Sequence, residues 1–179
     1  MIKELLAMPQ FFGKLLSSRA MRWVSAACLL FIVMPRAGLC AGYKDGITHL
    51  ERAWSHLQRD ELEPAAREAA SAAALLQGTE GKQRLPEAHE VLAIVELRLG
   101  RPAQAADHAH AGLTACGPCE ERTRLRFLLT GAYRDLGRYG EAESLLKELV
   151  AEAEAAGSAE DQSLGLEGLA IVTAAQGRR

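Results

Sequence analysis

Two cysteines three residues apart, Cys116 and Cys119, enclose Gly117-Pro118 and make the most reactive pattern in this chain. A C-x-x-C spacing can bring two sulfurs within bonding reach, and a cysteine where a helix begins gains thiolate character from the unpaired amides there. The residue types leave three chemistries open: a structural disulfide across a turn, a redox-active dithiol, or free thiols available to a metal. His108, His110, Cys116 and Cys119 share a 12-residue window. Two histidines two residues apart point in well-separated directions on a helix, so one zinc could not readily use both. Glu120 follows Cys119 where a histidine would mark covalent haem attachment. His49 and His56, seven apart, share a helical face and read as solvated or packed side chains. Neither a metal nor a cofactor is expected.

The chain has no glycine-rich phosphate loop, no G-x-S-x-G elbow and no H-E-x-x-H pair. Its carboxylate runs, such as Cys119 to Arg122 and Ala151 to Ala155, read as solvated helix faces. No small-molecule substrate is evident, and no enzyme is expected unless the cysteine pair is one.

The elements that must position these residues are helical. With 179 residues, 49% hydrophobic, 25% charged and only 5% aromatic, the chain can bury one ordinary core of closely packed helices. The formal charge of −2 hides a split, because residues 1–41 hold five bases and one acid, leaving about −6 for the rest. A mildly acidic body argues against nucleic acid as a partner.

Residues 1–41 read as a signal peptide or signal anchor. The 12-residue apolar run Trp23–Met34 follows Arg19 and Arg22 and is too short to span a bilayer comfortably. Pro35 and small residues come next, so cleavage after Cys40 or Ala41 fits. Met21 before Arg22 would give a compact signal if translation began there. Ala37-Gly38-Leu39 reverses the residue order that lipidation at Cys40 requires. The expectation is an exported protein, periplasmic or secreted, or held at the inner membrane by an uncleaved signal. Membrane contact is expected through this segment only.

From 42 to 179 the pattern predicts helices at about 46–58, 64–77, 86–99, 102–115, 119–136, 139–156 and 161–176, with no strand. Gly100 and Gly137 lie 37 residues apart, and Gly177 follows 40 later. A period of that size marks a solenoid of stacked units.

The residues of 123–156 resemble a tetratricopeptide repeat: Leu129, Ala132 and Tyr133, then Leu136-Gly137 at the turn, then Tyr139, Glu141 and Ala142, with Leu149-Val150 near the end. Residues 86–119 match through Leu92-Ala93, Val95, Leu99-Gly100 and Ala105, although Glu96 and Pro102 replace aromatics. Residues 46–79 match least, since Arg52 and Asp60 stand where leucine and glycine would be expected. Residues 163–179 resemble a half unit serving as a cap. Its Leu166, Leu169, Ile171 and Val172 lie on more than one face, so the helix either folds back on the preceding pair or leaves a surface for a partner or a second copy.

That resemblance implies an all-α, TPR-like superhelix of about three repeats plus a capping helix, binding a protein or peptide in a concave groove. Carried over, the groove takes Ile47, Leu50, Trp54 and Leu57 from the first unit. It takes Glu87, Glu90, Ile94 and Leu97 from the second, and Arg124, Phe127, Gly131 and Arg134 from the third. Trp54 and Phe127 are the aromatic anchors if exposed, and core aromatics if not. The resemblance therefore implies a scaffold in a cell-envelope process. Cys116-Gly117-Pro118-Cys119 is also identical to the thioredoxin tetrapeptide, which implies thiol-disulfide redox or redox assembly instead. Against that, Ala115 stands where thioredoxin has tryptophan, and helical repeats flank the motif on both sides.

Overall fold

The computed structural model describes residues 37–78, 81–117 and 119–177. The chain divides into two units, Met1–Gly38 and Leu39–Arg179, and the described residues belong almost wholly to the second. The apolar run, Met21 and Pro118 lie outside the described residues, so the signal reading is a matter of sequence. No described helix is long and apolar enough to cross a membrane.

The described residues form seven helices and no strand: α1 (Ala37–Gln58), α2 (Leu62–Leu75), α3 (Leu85–Arg98), α4 (Pro102–Ala115), α5 (Glu121–Asp135), α6 (Tyr139–Ala156) and α7 (Ala159–Ala175). The all-α expectation holds, and six of the seven helices start and stop within two residues of where periodicity placed them. The exception is α1, which begins at Ala37 rather than near Gly46 and so runs across the 41/42 boundary.

Local chemistry sets the ends. Pro86 and Pro102 occupy the first turns of α3 and α4, where a missing N–H leaves nothing unpaired. Ser158 caps α7 by accepting from the Asp161 amide at 3.3 Å. Four helices stop in one way. At α3 the Gly100 amide donates to Leu97 and the Arg101 amide to Glu96, at 3.0 and 2.8 Å. The same pair of bonds closes α5 at Gly137-Arg138 and α6 at Gly157-Ser158. It also closes α1 at Asp60-Glu61. This turn needs a left-handed residue. Gly100, Gly137 and Gly157 have φ of 69°, 73° and 69°, and Asp60 takes φ 60° without being glycine.

Consecutive helices from α2 to α7 pack as antiparallel hairpins, and α3 also touches α5, as α5 touches α7. α1 lies on α2, so close that a Cβ at Gly46 would be 2.9 Å from Leu76. His49 Nδ1 and Glu68 Oε2, 2.6 Å apart, join the same two helices. Small residues make these crossings. Ala53, Ala65, Ala69, Ala88, Ala105, Ala109, Ala132 and Ala142 are all fully buried. One core cluster centres on Leu50, Leu76, Val91 and Val95, and a second on Leu129, Leu146 and Val172.

Between α3 and α4, His89 and His108 face each other with ring centroids 5.8 Å apart. Burial holds both below the ordinary histidine range. The charge on His108 pushes His89 down further, whereas Glu96 and Asp107 partly offset the shift at His108. A depressed folded-state value means stability present above the unfolded histidine pKa near 6.5 and lost as pH falls through the folded value. The paired carboxylates Glu61, Glu68, Glu141 and Glu152 are also lowered, from 4.5, so their loss comes at lower pH. We expect the melting temperature to drop between pH 7 and pH 5.5, and His108→Gln to flatten that slope. Thermal melts at both pH values check this, and identical slopes for the two chains would exclude the histidine pair as the cause.

Candidate functional site

The groove residues come from α1, α3 and α5, which lie side by side through the α3–α5 contact and a bond from α1 to α3. Their side chains largely face one another. Trp54 Nε1 donates to Glu87 Oε1 at 2.8 Å, joining α1 to α3, and Arg84 holds the other Glu87 oxygen at 2.7 Å. Arg124 donates to both oxygens of Glu90, at 2.7 and 3.2 Å, joining α3 to α5. Glu90 is 3% exposed. Burial holds its carboxyl above the usual range although Arg124 opposes the shift. Trp54 is half-buried with its indole N–H used internally.

Leu50 and Leu57 are not on a reachable surface. They are 1% and 6% exposed and join the cluster containing Ala65, Ala69 and Leu76. Spacing puts Leu50, Ala53 and Leu57 on one stripe, and that stripe faces the core. Ile47, Ile94 and Leu97 are half-buried against the two clusters.

The α5 residues differ. Phe127, Gly131 and Arg134 on α5, with Leu164, Glu167, Gly168 and Ile171 on α7, border a mainly apolar cavity of about 270 Å³. Leu164 and Ile171 remain 39% and 47% exposed. Arg134 is tied to its neighbour Asp135 at 2.8 Å, which leaves Glu167 as the carboxylate on the α7 side. The α7 residues were not among the groove positions read from sequence. The signal was present, since α7 is apolar on more than one face, but a half unit read as a cap contributes no groove residues.

Cys116 and Cys119 form a disulfide with Cα atoms 5.7 Å apart. Cys116 ends α4 and is 7% exposed, and the half-buried Cys119 lies two residues before α5. The bridge borders a second cavity of about 590 Å³ together with Lys82, Gln83 and Pro86. The histidines upstream go elsewhere: His108 faces His89, and His110 Nε2 lies 2.7 Å from the Tyr133 hydroxyl. Among the described residues no three His, Cys, Asp or Glu side chains gather as a metal-binding set.

No protein-family model, curated protein or solved structure matches this chain.

Two glycines, Gly131 at the α5–α7 site and Gly165 where α7 crosses α6, separate open space from close packing. A Cβ at Gly165 would lie 2.6 Å from Val150 Cγ2, whereas one at Gly131 meets only Leu97 Cδ1 at 3.9 Å. We expect Gly131→Ala to stabilise the fold by up to about 1 kcal/mol through helix propensity. Gly165→Ala should destabilise it, because overpacking costs roughly 1–3 kcal/mol and outweighs the same gain. Urea denaturation of both variants measures the two signs.

Proposed function

We propose that residues 42–179 form a TPR-like scaffold, with units at about 46–79, 86–119, 123–156 and a half unit at 163–179, that binds another protein in a preformed groove. Left-handed turn residues at Asp60, Gly100, Gly137 and Gly177, spaced by 37 to 40, support the repeat reading. The antiparallel hairpins and the contacts of α3 with α5 and of α5 with α7 support the stack. The observation that carries the binding reading is the open apolar cavity between α5, which the resemblance assigns to the groove, and α7, which it reads as a cap. The N-terminal segment supports export and a role in a cell-envelope process, with the chain either free there or tethered by an uncleaved signal.

The test is affinity capture from envelope fractions with a C-terminally tagged chain, comparing wild type with Trp54→Ala and Phe127→Ala. A central aromatic anchor is worth about 2 kcal/mol or more, so Phe127→Ala should reduce recovery of a specific partner at least tenfold. Trp54→Ala should weaken recovery less, because Trp54 already serves the α1–α3 bond. Equal recovery from all three chains, each verified as folded by thermal melting, would overturn the groove assignment.

A second reading rests on the bridge at the mouth of the 590 Å³ cavity. In it, a partner thiolate attacks the Cys119 sulfur, the bridge breaks and Cys116 leaves as the thiolate. The partner's second thiol then displaces Cys119, so the partner ends as a disulfide and this chain as a dithiol. The scaffold reading predicts instead a potential below about −300 mV, as for structural disulfides, and no insulin reduction. Turnover by the wild type that Cys116→Ala loses would establish the redox reading.

A further inference from the structure

Glycine inside a helix costs about 1 kcal/mol relative to alanine, so each such glycine needs a reason. At Gly112, Gly165 and Gly168 the reason is packing. An added Cβ would lie 2.8 Å from Leu125, 2.6 Å from Val150 and 2.7 Å from Leu146. Gly131, like Gly42 and Gly140, has no such neighbour and no left-handed φ, but of these three it alone borders the α5–α7 cavity. Gly131 lines the space between α5 and α7, and the one atom within 4 Å of an added Cβ there is Leu97 Cδ1 of α3, at 3.9 Å, so a larger side chain has room at the edge of that space. The glycine keeps a socket open.

The socket's size and charge describe its occupant. About 270 Å³ falls below the usual range for small-molecule pockets and suits one bulky side chain of a polypeptide. Phe127, Leu164 and Ile171 supply apolar walls. The α7 side is acidic: the helix carries Glu160, Asp161 and Glu167 and no Lys or Arg. Arg134, the cation on the lining, is engaged by Asp135. Resting on the scaffold reading, the geometry points to a socket for an aliphatic or aromatic side chain flanked by lysine or arginine in a partner segment. Charge complementarity to Glu167 selects that segment over an acidic one.

The test is an amide chemical-shift titration of the ¹⁵N-labelled full chain with the blocked heptapeptide Gly-Ser-Lys-Phe-Lys-Ser-Gly. Two control peptides replace both lysines by glutamate, or the phenylalanine by alanine. The expected result is saturable shifts at Gly131, Gly168 and Ile171, with both controls at least tenfold weaker. Glu167→Gln should weaken the lysine peptide three- to tenfold. Gly131→Leu, which fills the socket, should abolish binding while keeping the melting temperature at or above wild type. Equal binding by Gly131→Leu, or by the glutamate peptide, overturns the proposal. So does a concentration-dependent dimer that Gly131→Leu makes monomeric, which would assign the socket to a second copy. Shifts confined to Trp54 and Glu87 and unchanged in Gly131→Leu would sink the socket and leave the groove standing. If no peptide shifts any amide and Phe127→Ala still captures its partner, both readings fall.

Discussion

The fold depends on how closely its helices approach. Alanines with no exposed surface line nearly every crossing, and at Gly46, Gly112, Gly165 and Gly168 even a methyl group would collide. Each alanine removes little apolar area from water, so no single contact dominates. Leu50, Leu76, Leu125, Leu129 and Leu146 fill the volume that alanines leave. This is a core whose cohesion comes from many short-range contacts, and it brings α3 against α5 and α5 against α7 as well. That adjacency is what creates a shared face on α3, α5 and α7.

Polar groups on that face divide it into a closed part and an open part. Around α1, α3 and the start of α5, Trp54 with Glu87 and Glu90 with Arg124 are paired across neighbouring helices. Removing Arg124 would leave the buried Glu90 carboxylate uncompensated, which costs far more than the pair contributes. Behind α5, Arg126 donates to both Glu152 oxygens, at 2.6 and 2.8 Å, and ties α5 to α6. Toward α7, among the described residues, no side-chain hydrogen bond or ion pair joins α5 to α7. The side chains facing one another there are Phe127, Leu164 and Ile171, and the space between them is unfilled.

The helices were legible because their amphipathic stripes and their proline and glycine boundaries are local signals. Within residues 46–79 the position of the left-handed turn was readable although its residue was not the expected one. Asp60 stands where glycine was expected and adopts the glycine conformation, because the flanking helices impose the turn. Groove membership was less legible. Helical spacing placed Ile47, Leu50, Trp54 and Leu57 together, but residues three and four apart sit at slightly different angles on one broad stripe, and at those angles Leu50 and Leu57 fell inside while Ile47 and Trp54 stayed half-buried. Nor could spacing show that Glu87 and Glu90 would meet Trp54 and Arg124, since those partners lie 33 and 34 residues away. The disulfide was one of three options for a C-x-x-C, and the backbone at the α4–α5 junction favours it by setting the Cα atoms 5.7 Å apart.

Among the described helices α7 is gripped by α5 and α6, whereas α5 packs against α3, α4, α6 and α7. In a stack built from nearest-neighbour contacts, a helix with fewer neighbours opens more often than the rest. A guest wedged between α5 and α7 would add a third hold on that helix. Occupancy would then register as slower proteolytic clipping near residues 159–175, even though the guest buries little surface and moves no backbone.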